Sequence, residues 1–275
     1  MPSLIRSPGH LVELALRDPE LERLLDRADW YLVGSRATGW ADELSDWDTI
    51  AIVGSDAAGA TAPSRSALDR AFGVMRPAIA GAPTLAFHRD WRRSQGVEVE
   101  VMTPAAAADS DAVEHAFQLR HAMPLRLRAG VGERARLAVA ERFSSRAELL
   151  ACHAYEAFRR SRNEAVAALG RPPGGARILT LGACASFAAR FWLLSRGRPY
   201  PSDKWLLAAV AESPDAVRIS ELLEAVLDPA TDGGTVFDAL WALWRIMDEL
   251  AERVGVPAPL LRDSPFAGGN AADAS

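Results

Sequence analysis

Trp30-Tyr-Leu-Val-Gly-Ser-Arg-Ala-Thr-Gly-Trp-Ala-Asp-Glu-Leu-Ser-Asp-Trp-Asp-Thr-Ile-Ala-Ile-Val53 reads as strand, glycine turn, short helix and a second strand that carries two acids on one face. Trp30 to Val33 is an apolar, β-prone run that stops at Gly34-Ser35, where a backbone carrying little side chain can approach a ligand closely. Ser35 falls where a helix N-cap would, so the free N–H groups of a helix start would face the same point, an arrangement suited to phosphate. Asp46 and Asp48 stand two apart at the start of a second strand running to Val53, and side chains two apart on a strand share a face. Like charges held that close call for a cation, for which a divalent metal with oxygen ligands is the usual answer. The bland alternative is a βαβ turn with a solvated Asp pair; against it, acids that open a buried-looking strand need a partner.

Upstream, the leucines of Leu11 to Asp26 predict one amphipathic helix leading into the first strand. Downstream, Gly54 to Ser64 reads as a loop and Arg65 to Met75 as a crossover helix. Thr84 to His88 and Gly96 to Thr103 are further strand candidates. In Val97-Glu98-Val99-Glu100-Val101, alternation sets two glutamates on one face and three valines on the other. Taken alone this is a solvated edge strand. Beside the Asp pair it offers a third carboxylate, and strand parity does not choose between Glu98 and Glu100.

Beyond Pro104 the period becomes helical and stays so. Ala105 to Arg120 is a short helical connection, and Val131 to Arg142, Ser145 to Leu169, Ala176 to Arg196, Ser202 to Glu212, Ala216 to Leu227 and Gly234 to Val254 read as successive helices. Proline and glycine clusters separate them. The expected division is a mixed-sheet domain over 1–125, a helical bundle over 126–262 and a disordered tail over 263–275.

The 275 residues, nearly half of them apolar, suffice for a sizeable core. A formal net charge of −5 argues against a general footprint on long nucleic acid, which needs a basic surface. The N-terminus lacks a signal-like pattern, and the apolar segment Ala183 to Leu194 is short and broken by Arg190, so a cytoplasmic protein without a membrane span is expected. Cys152 and Cys184 lie among small apolar residues in helical patterns and read as reduced core thiols.

Gly34-Ser35, a spacer, and Ser45-Asp46-Trp47-Asp48 followed by apolar residues resemble the signature of the DNA polymerase β-like nucleotidyltransferase superfamily. The resemblance implies an α+β chain: a nucleotidyltransferase-fold mixed sheet with flanking helices, then a C-terminal helical bundle. Two short segments are similar to kanamycin-type enzymes. Val99-Glu100-Val101 resembles the strand bearing their third metal ligand, which favours Glu100. Glu156 matches their catalytic glutamate, with Arg160 standing where they have a lysine. The bland reading of Glu156 and Arg160 is an exposed i,i+4 ion pair. Tyr200-Pro-Ser-Asp-Lys204-Trp205 resembles a further segment of antibiotic nucleotidyltransferases, in which Lys204 would meet a nucleotide phosphate; a plain surface lysine competes with that reading. Trp40 and Trp47 are equally open between stacking on a base and covering the sheet.

The implied activity is transfer of a nucleoside monophosphate, AMP from ATP or another NTP, to a hydroxyl of a small molecule such as an aminoglycoside-like antibiotic. Gly34 and Ser35 would hold phosphates, two Mg²⁺ ions would sit on Asp46, Asp48 and Glu100, and Glu156 would act as base. A homodimer is implied by the resemblance alone. The competing functions are an AMPylating enzyme that modifies protein hydroxyls and a catalytically inactive nucleotide-binding regulator.

Overall fold

The computed structural model describes residues 5–42, 45–54, 64–72, 85–90, 95–110, 113–172, 174–213 and 215–257. Two compact units divide the chain, Met1–Phe143 and Ser144–Ser275. The first combines a mixed sheet with flanking helices and the second is helical, so the chain has mixed α and β structure. Residues 55–63 of the expected loop, 91–94 of the connection over 89–95 and the tail over 263–275 lie outside the described residues.

In the first unit, β1 (Ala28–Leu32), β2 (Trp47–Val53), β3 (Leu85–Asp90), β4 (Gln95–Met102) and β5 (Met123–Leu127) form a five-stranded sheet in the order β3-β4-β2-β1-β5. β2 and β4 run parallel, whereas β1 is antiparallel to both β2 and β5. One face carries Trp30, Leu32, Trp47, Ala51, Val97, Val99 and Val101 into the core. The three valines of β4 are at most 3% exposed, as alternation requires. The opposite face carries Asp29, Tyr31, Asp48, Ile50, Glu98 and Glu100, since register pairs Asp29 with Ile52, Tyr31 with Ile50 and Asp48 with Glu98.

The N-terminal helix is broken in two, α1 (Pro8–Ala15) and α2 (Pro19–Leu25). Pro19 has no N–H to continue α1, and Asp18 caps α2 by accepting from the N–H groups of Glu20 at 3.0 Å and Leu21 at 3.2 Å. Arg70 of α4 (Arg65–Phe72) pairs with the same buried Asp18 and ties α4 to α2. After α3 (Gly34–Thr38), the expected connection past Pro104 proves to be two helices, α5 (Pro104–Asp109) and α6 (Val113–Arg120).

β5 corrects the expectation of uninterrupted helices. Met123-Pro-Leu-Arg-Leu127 is a short edge strand with Met123 45% and Leu127 57% exposed, so it shows neither a buried run nor a clean alternation, and Pro124 is tolerable only at such an edge. An acid on β1 fastens the turn after this strand. The buried Asp29 carboxylate accepts five backbone N–H groups, from Arg128, Ala129, Gly130, Val131 and Gly132, at 2.7 to 3.1 Å. These lead into α7 (Gly132–Ser144), which therefore belongs to the first unit, and a boundary at 125/126 would cut β5. At Gly132 a Cβ would overlap the Tyr31 ring, so only glycine fits there.

The second unit holds α8 (Ala147–Leu169), α9 (Gly175–Leu194), a 3₁₀ turn (Asp203–Trp205), α10 (Leu206–Ala211), α11 (Val217–Leu227) and α12 (Gly233–Arg253). Tyr155 and Phe191 pack α8 on α9 with ring centroids 5.2 Å apart. Buried Asp248 on α12 accepts from the Tyr155 hydroxyl at 2.7 Å and lies 3.4 Å from the Arg162 guanidinium, so a polar network joins α8 to α12. At 20 residues α9 is longer than the apolar segment expected, and length and composition alone would admit a membrane span; half of that window is buried in the protein. Cys184 is among its fully buried residues, and burial pushes that thiol up to about 11, while Cys152 is half-buried and also unpaired with a second thiol.

Candidate active site

β1 gives way to α3 through one residue that must be glycine. The Val33 N–H donates to the Asp48 carbonyl at 2.8 Å, which sets the end of β1 beside the start of β2. Gly34 follows with φ +66°, and a Cβ there would overlap the Asp48 carboxylate. The Gly34 backbone and the Asp48 carboxylate are thus in contact. The N-cap of α3 is Val33, in extended conformation and without a capping side chain, so Ser35 is not the cap; it is buried in the first turn. The positive-φ turn at Gly34 starts the helix two residues earlier than a Ser35 cap would.

Arg36, two residues on, organises the approach to β2. Its Nε donates to the Asp46 carbonyl at 3.1 Å and its terminal nitrogen to the Ser45 carbonyl at 2.6 Å, while its guanidinium lies 4.2 Å from the centre of the Trp47 ring. Trp47 is 3% exposed and part of the core, and Trp40 stacks on Phe117 with centroids 5.6 Å apart, so both tryptophans have protein partners. The Ser45 hydroxyl donates to Asp42 at 2.8 Å, and the Asp46 carboxylate accepts the Gly96 N–H at 2.7 Å, joining the turn before β2 to the start of β4.

Parallel pairing then brings the acids together. Asp48 is in register with Glu98, and Ile50 with Glu100, so Glu98 is the glutamate opposite Asp48 and Glu100 lies one pleat further along. Burial, followed by the charges of Asp48, Glu100, Glu114 and Asp46, pushes the Glu98 carboxyl up to about 7. Glu100 has a partner of its own. Its carboxylate lies 3.2 Å from Nε2 of His115, whose Nδ1 is 2.6 Å from the Ser110 hydroxyl, and the bond to Glu100 raises the His115 pKa against the opposing effect of burial. The resemblance favours Glu100 as third carboxylate, whereas the register brings Glu98 to Asp48.

Among the described residues, no three His, Cys, Asp or Glu side chains converge as a closed metal-ligand set. The donor chemistry nevertheless suits a hard divalent cation: Asp46, Asp48 and Glu98 supply oxygens, and the crowding that disfavours ionised Glu98 is what such an ion would relieve.

In the second unit, Glu156 is half-buried on α8 and paired with exposed Arg160 one turn on. The two line a cavity of about 360 Å³ with His153, Ser161, Glu164 and Phe187 of α9. Lys204 is exposed in the 3₁₀ turn, 5.6 Å from the centre of the Trp205 ring, and its neighbour Asp203 is held by Ser186 at 2.9 Å and Arg190 at 2.6 Å. Asp46, Asp48, Glu98 and Gly34 are thus gathered in one unit, and Glu156 with Arg160 in the other. Arg36 and His115 are site residues that sequence reasoning missed. Arg36 acts through backbone carbonyls, which leave no sequence pattern, while His115 announces itself only once α6 is placed against β4.

Compared with known proteins, the chain matches no protein-family model and no curated protein.

Proposed function

We propose that the chain is a magnesium-dependent nucleotidyltransferase that moves a nucleoside monophosphate, AMP from ATP in the simplest case, onto a hydroxyl of a small molecule such as an aminoglycoside-like antibiotic. The observation that carries this reading is the β2–β4 register, which sets Glu98 opposite Asp48 beside the Gly34 turn and crowds the carboxylates until one is pushed to about 7. Asp46, Asp48 and Glu98 would hold Mg²⁺, with Glu100 kept on His115. A divalent ion there supplies charge stabilisation and alignment to the phosphate oxygens. The remaining work falls to the chain. Backbone at Gly34 and Ser35 receives the phosphates, and Arg36 holds the Ser45-Asp46 turn in place for them. By the resemblance, Lys204 of the helical unit would contribute a point charge toward the nucleotide. By the resemblance, Glu156 of the helical unit would accept the proton of the acceptor hydroxyl as that oxygen bonds to the α-phosphorus and the bond to pyrophosphate breaks, with Arg160 orienting the carboxylate.

With Mg²⁺ and α-labelled ATP, pyrophosphate is expected only when a hydroxylated acceptor from a panel of small molecules is present, together with label on that acceptor. Asp48→Asn should keep the fold and lower transfer by about 10²-fold or more. Full transfer by that variant would remove the metal assignment.

A further inference from the structure

A second cavity in the helical unit shares no residue with the one at Glu156. It measures about 310 Å³ and lies among the N-terminal part of α9, the end of α11 and the start of α12. That volume is at the lower end of the roughly 300–1,000 Å³ of small-molecule sites. Ile178, Leu181, Val226 and Val236 make its wall apolar, and Gly182, with nothing within 4 Å of where a Cβ would be, leaves it open.

Among the described residues, one cation lines this space. Arg177 is half-buried and engages in no hydrogen bond or ion pair among the described residues. Two carboxylates also line the cavity, yet both are exposed and committed locally. Asp228 accepts the Ala230 N–H at 2.9 Å; Asp232 caps α12 by accepting from the N–H groups of Gly234 at 2.9 Å and Thr235 at 3.0 Å and from the Thr235 hydroxyl at 2.6 Å. A half-buried guanidinium against an apolar wall, unpaired although two acids are near, lacks the partner its planar donors suit best.

The geometry points to a binding site for a small carboxylate with an apolar body: the body fills the space over Gly182 and Leu181, and the carboxylate pairs with Arg177. The site is independent of the nucleotidyltransferase reading.

Isothermal titration of the full chain with sodium octanoate, octylamine and 1-octanol tests it. Octanoate is expected to bind one per chain and more tightly than either control. Arg177→Gln should weaken octanoate by about tenfold or more while leaving 1-octanol unchanged. Gly182→Leu should abolish binding of all three with an unchanged or higher melting temperature, because the new side chain enters open space and replaces a helical glycine. Absence of octanoate binding to the unaltered chain, equal binding of octylamine, or octanoate affinity unmoved by either substitution overturns the proposal.

Discussion

On one face of the sheet, two acids mark opposite treatments of a carboxylate. Asp29 on β1 is surrounded by donors: five backbone N–H groups converge on it from the turn into α7. Burial opposes its charge, but the N–H groups of Gly132, Gly130, Arg128 and Val131 hold its pKa below the ordinary value. Glu98 on β4 is surrounded by acids, and its carboxyl is pushed the other way, to about 7. Asp29 is an anion whose counter-partners the fold itself supplies; Glu98, among the described residues, has acids around it and no cation paired with it. A carboxylate that the chain has satisfied serves structure, whereas the crowding at Glu98 is what the proposed Mg²⁺ would relieve.

The comparison breaks first at Asp29. Asp29→Asn keeps the shape but replaces charge-assisted acceptance with a neutral carbonyl and an NH₂ that faces donors, and should destabilise the chain by about 3 kcal/mol in denaturant unfolding. The sign of the pH effect follows from the lowered pKa: the stability this acid contributes is present above the unfolded value of about 3.9 and is lost as pH falls below it. The Asn variant should therefore show a flatter stability profile below about pH 4. A variant as stable as the parent at pH 7 would mean that the N–H cluster is satisfied without the charge.

Glu98→Gln should act in the opposite direction and more weakly. A raised pKa means that the folded chain binds the proton more tightly, so ionised Glu98 costs stability progressively as pH rises from about 4.3 towards 7 and fully above that. Removing the charge should stabilise the protein by about 1–2 kcal/mol at pH 8 and have little effect near pH 4. Mg²⁺ sharpens the test: it should raise the melting temperature of the parent at pH 8 and leave that of Glu98→Gln and Asp48→Asn nearly unmoved. Equal shifts in all three would place the ion elsewhere.

The contrast between these acids also explains what the sequence could disclose. Strands at 30–33 and 48–53, the glycine between them and the alternation of Val97 to Val101 are local patterns, legible because period and turn chemistry act over a few residues. The break at Asp18-Pro19 was missed, because the leucine spacing around it argued for one helix and outweighed a cap followed by proline in its middle. Asp29 carried no signal, since its partners are backbone groups about 100 residues away and backbone donors are the same in every sequence. β5 was hidden by its exposed edge and its proline. The choice between Glu98 and Glu100 was invisible for a related reason: both share a face, and only the register of β2 on β4 tells which one stands opposite Asp48.

Glu156 offers the smallest stability effect and a useful third case. Its carboxylate has a cation at hand, as Asp29 has donors, but that cation is Arg160 on the protein surface, where solvent screens the pair. Glu156→Gln should therefore change unfolding stability by no more than about 0.5 kcal/mol, unlike substitution of either sheet acid. Turnover is the informative measurement. A general base is needed only as the acceptor loses its proton, so the Gln variant should keep its affinity for ATP while losing most of its transfer rate, by about 10²-fold or more. Loss of ATP affinity with the rate per bound nucleotide preserved would move Glu156 from proton transfer to nucleotide binding. An unchanged rate and affinity would leave only the surface ion pair, and the cavity it lines would need another occupant.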